Sequence, residues 1–168
     1  MTMRDMTCCF TGHRNIPQGE IPILEEKLET LIRALVEEKI VYYGAGGALG
    51  FDTVSSKVVL KLRKEIPQIK LILVLPCLSQ AQKWSIRDQE IYEGIKVQAD
   101  KIVYTSQDYT RGCMLKRNRH LVDHSGTCVC YMTKSEGGTA YTVNYARKQN
   151  LKIINLADRK ILLQREKI

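Results

Sequence analysis

Apolar residues along this chain alternate between two spacings. Short runs rich in apolar and β-branched residues are followed by longer stretches with an apolar residue every three or four positions. The first spacing predicts strands and the second predicts amphipathic helices. Strands are expected at Thr7–Phe10, Lys39–Tyr43, Lys70–Leu75, Lys101–Thr105, Thr127–Met132 and Leu151–Leu156. Helices are expected at Ile21–Glu38, Phe51–Lys64, Gln80–Lys96, Cys113–His124 and Thr139–Gln149. Leu24, Leu28, Leu31, Ile32 and Leu35 mark one face of the first helix, and Pro22 suits its first turn. Pro67 follows the second helix, and Pro76 stops the third strand.

This alternation places the chain in the α/β class. It predicts a single Rossmann-like, doubly wound domain: a mostly parallel sheet of about six strands with helices on both faces. The domain takes in residues 1–168, with a core at about 7–156 and a C-terminal helix or tail at 157–168. No linker, low-complexity tract or internal repeat interrupts it. Such sheets bind ligands beyond the carboxyl ends of their strands. The polar motifs of this chain fall at those ends.

Two of them are glycine-rich turns that each open a helix. The first is Gly44-Ala45-Gly46-Gly47-Ala48-Leu49-Gly50-Phe51-Asp52, and the second is Glu136-Gly137-Gly138-Thr139-Ala140. Bare backbone lets a ligand approach closely, and free N–H groups at a helix N-terminus favour an anion such as phosphate. The first turn lacks the G-x-G-x-x-G dinucleotide fingerprint, because Leu49 stands where its last glycine belongs. No phosphate loop of the G-x-x-x-x-G-K-[ST] kind occurs. Asp52 can cap its helix or accept hydrogen bonds from sugar hydroxyls. Thr139 can cap the second helix or donate to a phosphate oxygen.

Other candidates flank these turns. Gly12 permits a tight turn after the first strand, His13 is a candidate proton carrier, and Arg14 can clamp a phosphate. Arg117 and Asn118 sit near the start of a basic helix. Gln80 and Trp84 follow the third strand, and Trp84, the one tryptophan, either stacks on a base or packs under a loop.

Composition narrows the classes. The net charge of +8, from 26 Lys and Arg against 18 Asp and Glu, suits an anionic ligand or nucleic acid, although aromatic residues for base stacking are few at 7%. No apolar run approaches the ~20 residues that cross a bilayer. The N-terminus lacks a signal-peptide pattern, so the expectation is a cytoplasmic protein with no membrane partner. Six cysteines form no C-x-x-C pair. His120 and His124 stand four apart without a third ligand in view, so neither a metal nor a cofactor is expected.

Taken together these residues resemble a known family. Thr11-Gly12-His13-Arg14, Gly46-Gly47-Ala48-Leu49-Gly50-Phe51-Asp52, Pro76 with Gln80 and Trp84, Arg117-Asn118-Arg119 with Val122-Asp123, and Gly137-Gly138-Thr139-Ala140 follow in the order of the YpsA-like proteins of the SLOG superfamily. That superfamily includes the LOG phosphoribohydrolases and the single-strand DNA-binding protein DprA/Smf. The resemblance covers about residues 7–156. It implies a Rossmann-like fold, a homodimer, and a site for a nucleotide or nucleotide derivative.

Activity carries over less directly. The LOG signature pairs an arginine in M-H-x-R-K with a glutamate in P-G-G-x-G-T-x-x-E. Here Arg117 keeps the arginine, but Ala140 and Tyr141 replace Gly-Thr, and Asn144 stands at the glutamate position. Asparagine supplies neither a general base nor a charge for an oxocarbenium ion. The expected function is therefore binding or sensing of a nucleotide or ADP-ribose-like ligand. Phosphate would lie on the two glycine turns, charge would be clamped by Arg14 and Arg117, and sugar hydroxyls would be held by Asp52. The alternatives are an N-glycosidic hydrolase using Asp52 and Arg117, with Asp123 a further candidate carboxylate, and single-stranded DNA binding of the DprA type.

Overall fold

In the computed structural model, which describes residues 1–157, six parallel strands form one sheet. They are β1 (Thr7–Gly12), β2 (Tyr42–Ala45), β3 (Lys70–Leu75), β4 (Lys101–Tyr104), β5 (Thr127–Tyr131) and β6 (Lys152–Asn155), in the spatial order β4-β3-β2-β1-β5-β6. The helices are α1 (Ile21–Glu37), α2 (Phe51–Arg63), α3 (Ile86–Gln98), α4 (Cys113–Asp123) and α5 (Gly138–Lys148). The expected Rossmann-like α/β architecture is therefore present. The C-terminal helix or tail expected from 157 onward lies, apart from Ala157, outside the described residues.

Right-handed crossovers sort the helices. The path from β1 to β4 runs toward one edge and carries α1, α2 and α3 on one face. The path from β4 through β5 to β6 runs back and carries α4 and α5 on the other. Each face has its own core. The first joins Leu28, Ile32 and Leu35 of α1 to Tyr43, Leu71 and Leu73 of the sheet. The second joins Leu121 and Val122 of α4 to Cys9, Cys128 and Ala146. Each fully buried aliphatic side chain contributes roughly 1.5–3 kcal/mol. All six cysteines are buried and unpaired, consistent with their apolar sequence surroundings.

Two elements start three or more residues away from the sequence reading. The second strand starts at Tyr42, not Lys39, because Lys39 takes a left-handed conformation (φ 71°) and ends α1. There the Ile40 N–H reaches back to Leu35 O at 3.0 Å. Residues 80–84 are not helical. The helix begins at Ile86 with Ser85 as its cap, whose Oγ accepts the Asp88 N–H at 3.1 Å. That serine and aspartate, three residues apart, were a legible capping signal.

The strand order reverses between β1 and β5. One connection leaves β1 toward β2 and the other leaves β5 toward β6, so a crevice opens beyond their carboxyl ends. The loops 12–17 and 132–137 flank this crevice, and α2, α4 and α5 point their N-termini toward the same end of the sheet.

Candidate functional site

A cleft of about 300 Å³ occupies the crevice. Its walls come from Gly12, His13 and Arg14 after β1, Ala48 and Asp52 at the start of α2, Arg117 and Asn118 on α4, and Lys134 through Thr139 before α5, except Ser135. Segments more than a hundred residues apart in sequence thus meet at one place. The volume is at the lower end for ligand sites, which run from about 300 to 1,000 Å³.

The two glycine turns play different parts here. The first is filled by the protein itself. A Cβ at Gly46 would stand 2.6 Å from the Arg117 guanidinium carbon, and one at Gly50 would run into Arg14 O. Gly50 also has φ 78°, which a side chain rarely adopts. None of Gly46, Gly47 and Gly50 lines the cleft; Gly47 and Gly50 border a separate cavity on the other side of Asp52. The second turn is open: nothing among the described residues lies within 4 Å of a Cβ at Gly137 or Gly138. Gly137 caps α5 with φ 96° and no side chain, and Tyr141 is the first residue whose N–H reaches back, to Gly137 O at 3.0 Å. The preceding N–H groups of α5 have no acceptor within the helix. They face a wall that also carries Arg14 and Lys134.

Arg117 is 3% exposed and holds the first turn from behind. Its Nη1 donates to Gly46 O and lies 3.4 Å from Gln80 Oε1, and its Nε donates to Asn118 Oδ1 at 2.8 Å. The residue is an internal strut that also borders the cleft. Gln80 completes this packing, donating to Gly46 O and to the Tyr92 hydroxyl, each at 3.4 Å, and it does not reach the cleft. Trp84 packs edge-to-face on Tyr92, ring centres 5.2 Å apart, also away from the cleft.

Asp52 is buried, and its Oδ2 accepts the Ala48 N–H at 3.1 Å. Burial holds its carboxyl above the usual carboxylate range despite the opposing pull of Arg117. Burial likewise lowers Arg117. His13 Nε2 accepts the Thr133 N–H at 2.9 Å, tying the β1 loop to the second glycine turn. Burial, then Lys134, lowers the His13 pKa, in keeping with a neutral ring. Thr139 borders the cleft without capping α5.

Asn144 is exposed, accepts from Arg147 at 3.1 Å and is not part of the cleft wall. Phe10, Met114, Leu115 and Lys134 also line the cleft and were not sequence candidates, while Thr11, Ala48 and Glu136 line it and stood in the quoted motifs without a role of their own. Lys134 and Glu136 had a signal, since they immediately precede the second glycine pair. Among the described residues, no three His, Cys, Asp or Glu side chains gather as metal ligands. No helix among them is long and apolar enough to cross a membrane.

A profile of YpsA, described as the YspA SLOG family, matches residues 8–159. This chain belongs to that family. Among relatives of the YpsA-type chain, a UPF0398 protein of Bacillus licheniformis is 30% identical over 128 residues, covering 74% of this chain and 70% of that one. The SPbeta prophage-derived protein YoqJ of Bacillus subtilis is 30% identical over 141 residues, covering 76% and 82%. Two DprA structures share the fold. The Streptococcus pneumoniae protein has TM-score 0.64 at 14% identity, with 90% of this chain matched to 50% of that one. The Helicobacter pylori protein, described for its single-stranded DNA binding mode, has TM-score 0.65 at 18% identity, covering 97% and 74%. The YpsA-type chain therefore corresponds to only half of the pneumococcal protein.

Proposed function

We propose that this protein binds a nucleotide or a nucleotide derivative such as ADP-ribose in the cleft between β1 and β5. The supporting observation is the open Gly137-Gly138 turn, with its unpartnered first-turn N–H groups, facing a wall that holds Arg14 and Lys134. Phosphate belongs on that turn. Asp52, carried into the cleft on the first turn of α2, is the acceptor for sugar hydroxyls. Binding without turnover is the favoured reading, because the position that carries glutamate in LOG enzymes is an exposed asparagine outside the cleft.

The test is thermal unfolding with AMP, ADP-ribose, NAD, a pentose phosphate and a short single-stranded DNA. A ligand at ~100 times its dissociation constant adds roughly 2.7 kcal/mol, a shift of about 5–10 °C at this size. The expected result is a shift with one phosphorylated ligand that Gly138→Asp removes. Steady release of free base from a nucleoside monophosphate, lost in Asp52→Asn, would instead establish a hydrolase. In that case the raised Asp52 carboxyl would be suited to donate a proton.

The second reading is single-stranded DNA binding. It rests on the fold shared with DprA and on exposed Arg14, Arg111, Lys116 and Lys134 at or near the carboxyl edge. Its signature is a shift with DNA alone that falls steeply with added salt.

A further inference from the structure

A second cavity, of about 210 Å³, lies on the opposite side of Asp52, between α1, α2 and α3. Asp52 borders both spaces, but their chemistry is opposed. The cleft between β1 and β5 carries Arg14, Arg117 and Lys134. The second cavity carries Asp52, Asp88 and Glu25 against one cation, Lys57. Its floor is aliphatic, from Leu73, Val54 and Ile95, and one wall is the Trp84–Tyr92 aromatic pair.

Ser56 lines this cavity. It is 1% exposed, and its Oγ is the one buried side-chain oxygen or nitrogen among the described residues without a hydrogen-bond partner. Such a group costs about 1–3 kcal/mol when left unsatisfied. A helical serine usually escapes that cost by bonding the carbonyl four residues back, as Ser55 does to Phe51 O at 2.8 Å. Ser56 does not.

We infer that the cavity between α1, α2 and α3 is a second ligand site, which takes an uncharged, flat nitrogen heterocycle of nucleobase type. The aromatic and aliphatic walls suit a flat ring. Ser56 Oγ can donate to a ring nitrogen or accept from a ring N–H. The carboxylates at the rim accept from exocyclic amines and repel phosphate. The volume, below the ~300 Å³ where drug-sized sites begin, fits one ring system and not a whole nucleotide. The site does not depend on the reading given for the other cleft.

Trp84 borders the cavity and is the one tryptophan of the chain, so its fluorescence reports on this site directly. The experiment is a titration of the whole protein with adenine, followed by tryptophan emission. Saturable quenching is expected. Ser56→Ala should weaken the affinity about tenfold, and Ser56→Leu, which fills the space, should abolish the quenching. Gly138→Asp should leave it unchanged. Absence of saturable quenching up to millimolar adenine would overturn the proposal. So would quenching of equal strength in wild type and Ser56→Ala, the variant that removes only one oxygen and is expected to fold. Loss of AMP binding in Gly138→Asp with adenine quenching intact separates the two sites.

Discussion

The two glycine turns of this protein look alike in sequence and are opposite in structure. At 44–50 the glycines make room for the protein's own atoms: Arg117 behind Gly46, Leu75 behind Gly47, the 13–14 backbone against Gly50. At 137–138 they make room for nothing among the described residues. A glycine-rich strand-to-helix turn is therefore two kinds of device. One lets distant segments pack closely, and the other leaves its backbone donors uncovered by the described residues.

The largest expected effect separates them by stability. Gly50→Ala combines a strained φ with a contact to backbone that cannot move aside, and should cost more than about 3 kcal/mol. In urea unfolding this variant should lose a large part of its midpoint or fail to fold. A wild-type midpoint would show that the first turn is open after all. Gly46→Ala must push the Arg117 guanidinium away, an overpacking cost of about 1–3 kcal/mol by the same measurement.

The second turn should respond in affinity rather than stability. Gly138→Asp places a carboxylate where phosphate is proposed to bind. Affinity for the phosphorylated ligand should fall at least tenfold, about 1.4 kcal/mol, while the unliganded midpoint moves by less than about 0.5 kcal/mol. Calorimetric titration beside urea unfolding checks both halves. If stability collapses instead, the contrast between the turns is broken.

The smallest effect is the pH dependence set by Asp52. Its folded-state pKa is raised from 3.8, chiefly by burial. A raised carboxyl contributes most below its unfolded value, and that contribution is lost as pH rises through the folded value. Relative to Asp52→Asn, the wild type should therefore lose stability as pH rises above the ordinary carboxylate value of 3.8. Asp100 has the opposite sign. Burial acts to raise it, but the Leu71 N–H and Arg63 together outweigh burial and lower it. Its contribution is present above the ordinary value and is lost as pH falls through the lowered one. Asp100→Asn should flatten the acid side of the same urea series.

Much of this was legible in the sequence, because strand and helix periodicities are local. Leu24, Leu28, Ile32 and Leu35 can share a face only on a helix, and buried β3 reads as a continuous apolar run. The left-handed Lys39 was not legible, since nothing in its side chain calls for positive φ. The helix start at Ser85 was legible and was overlooked. At the site, Arg14, His13, Asp52, Arg117 and Gly137 through Thr139 were named and do meet around one cleft. Gly46, Gly47, Gly50, Gln80 and Trp84 were named with them and do not line it.

The sequence by itself determined the βα alternation, the parallel sheet it requires, and the placing of polar motifs at the strands' carboxyl ends. Each follows from side-chain periodicity and the handedness of crossovers. Only the tertiary structure decided which glycine turn is occupied, that Arg117 faces inward as a strut, and that Ser56 is left without a partner. Those outcomes depend on which residues from distant segments fill the space around a backbone atom. Local spacing carries no information about that.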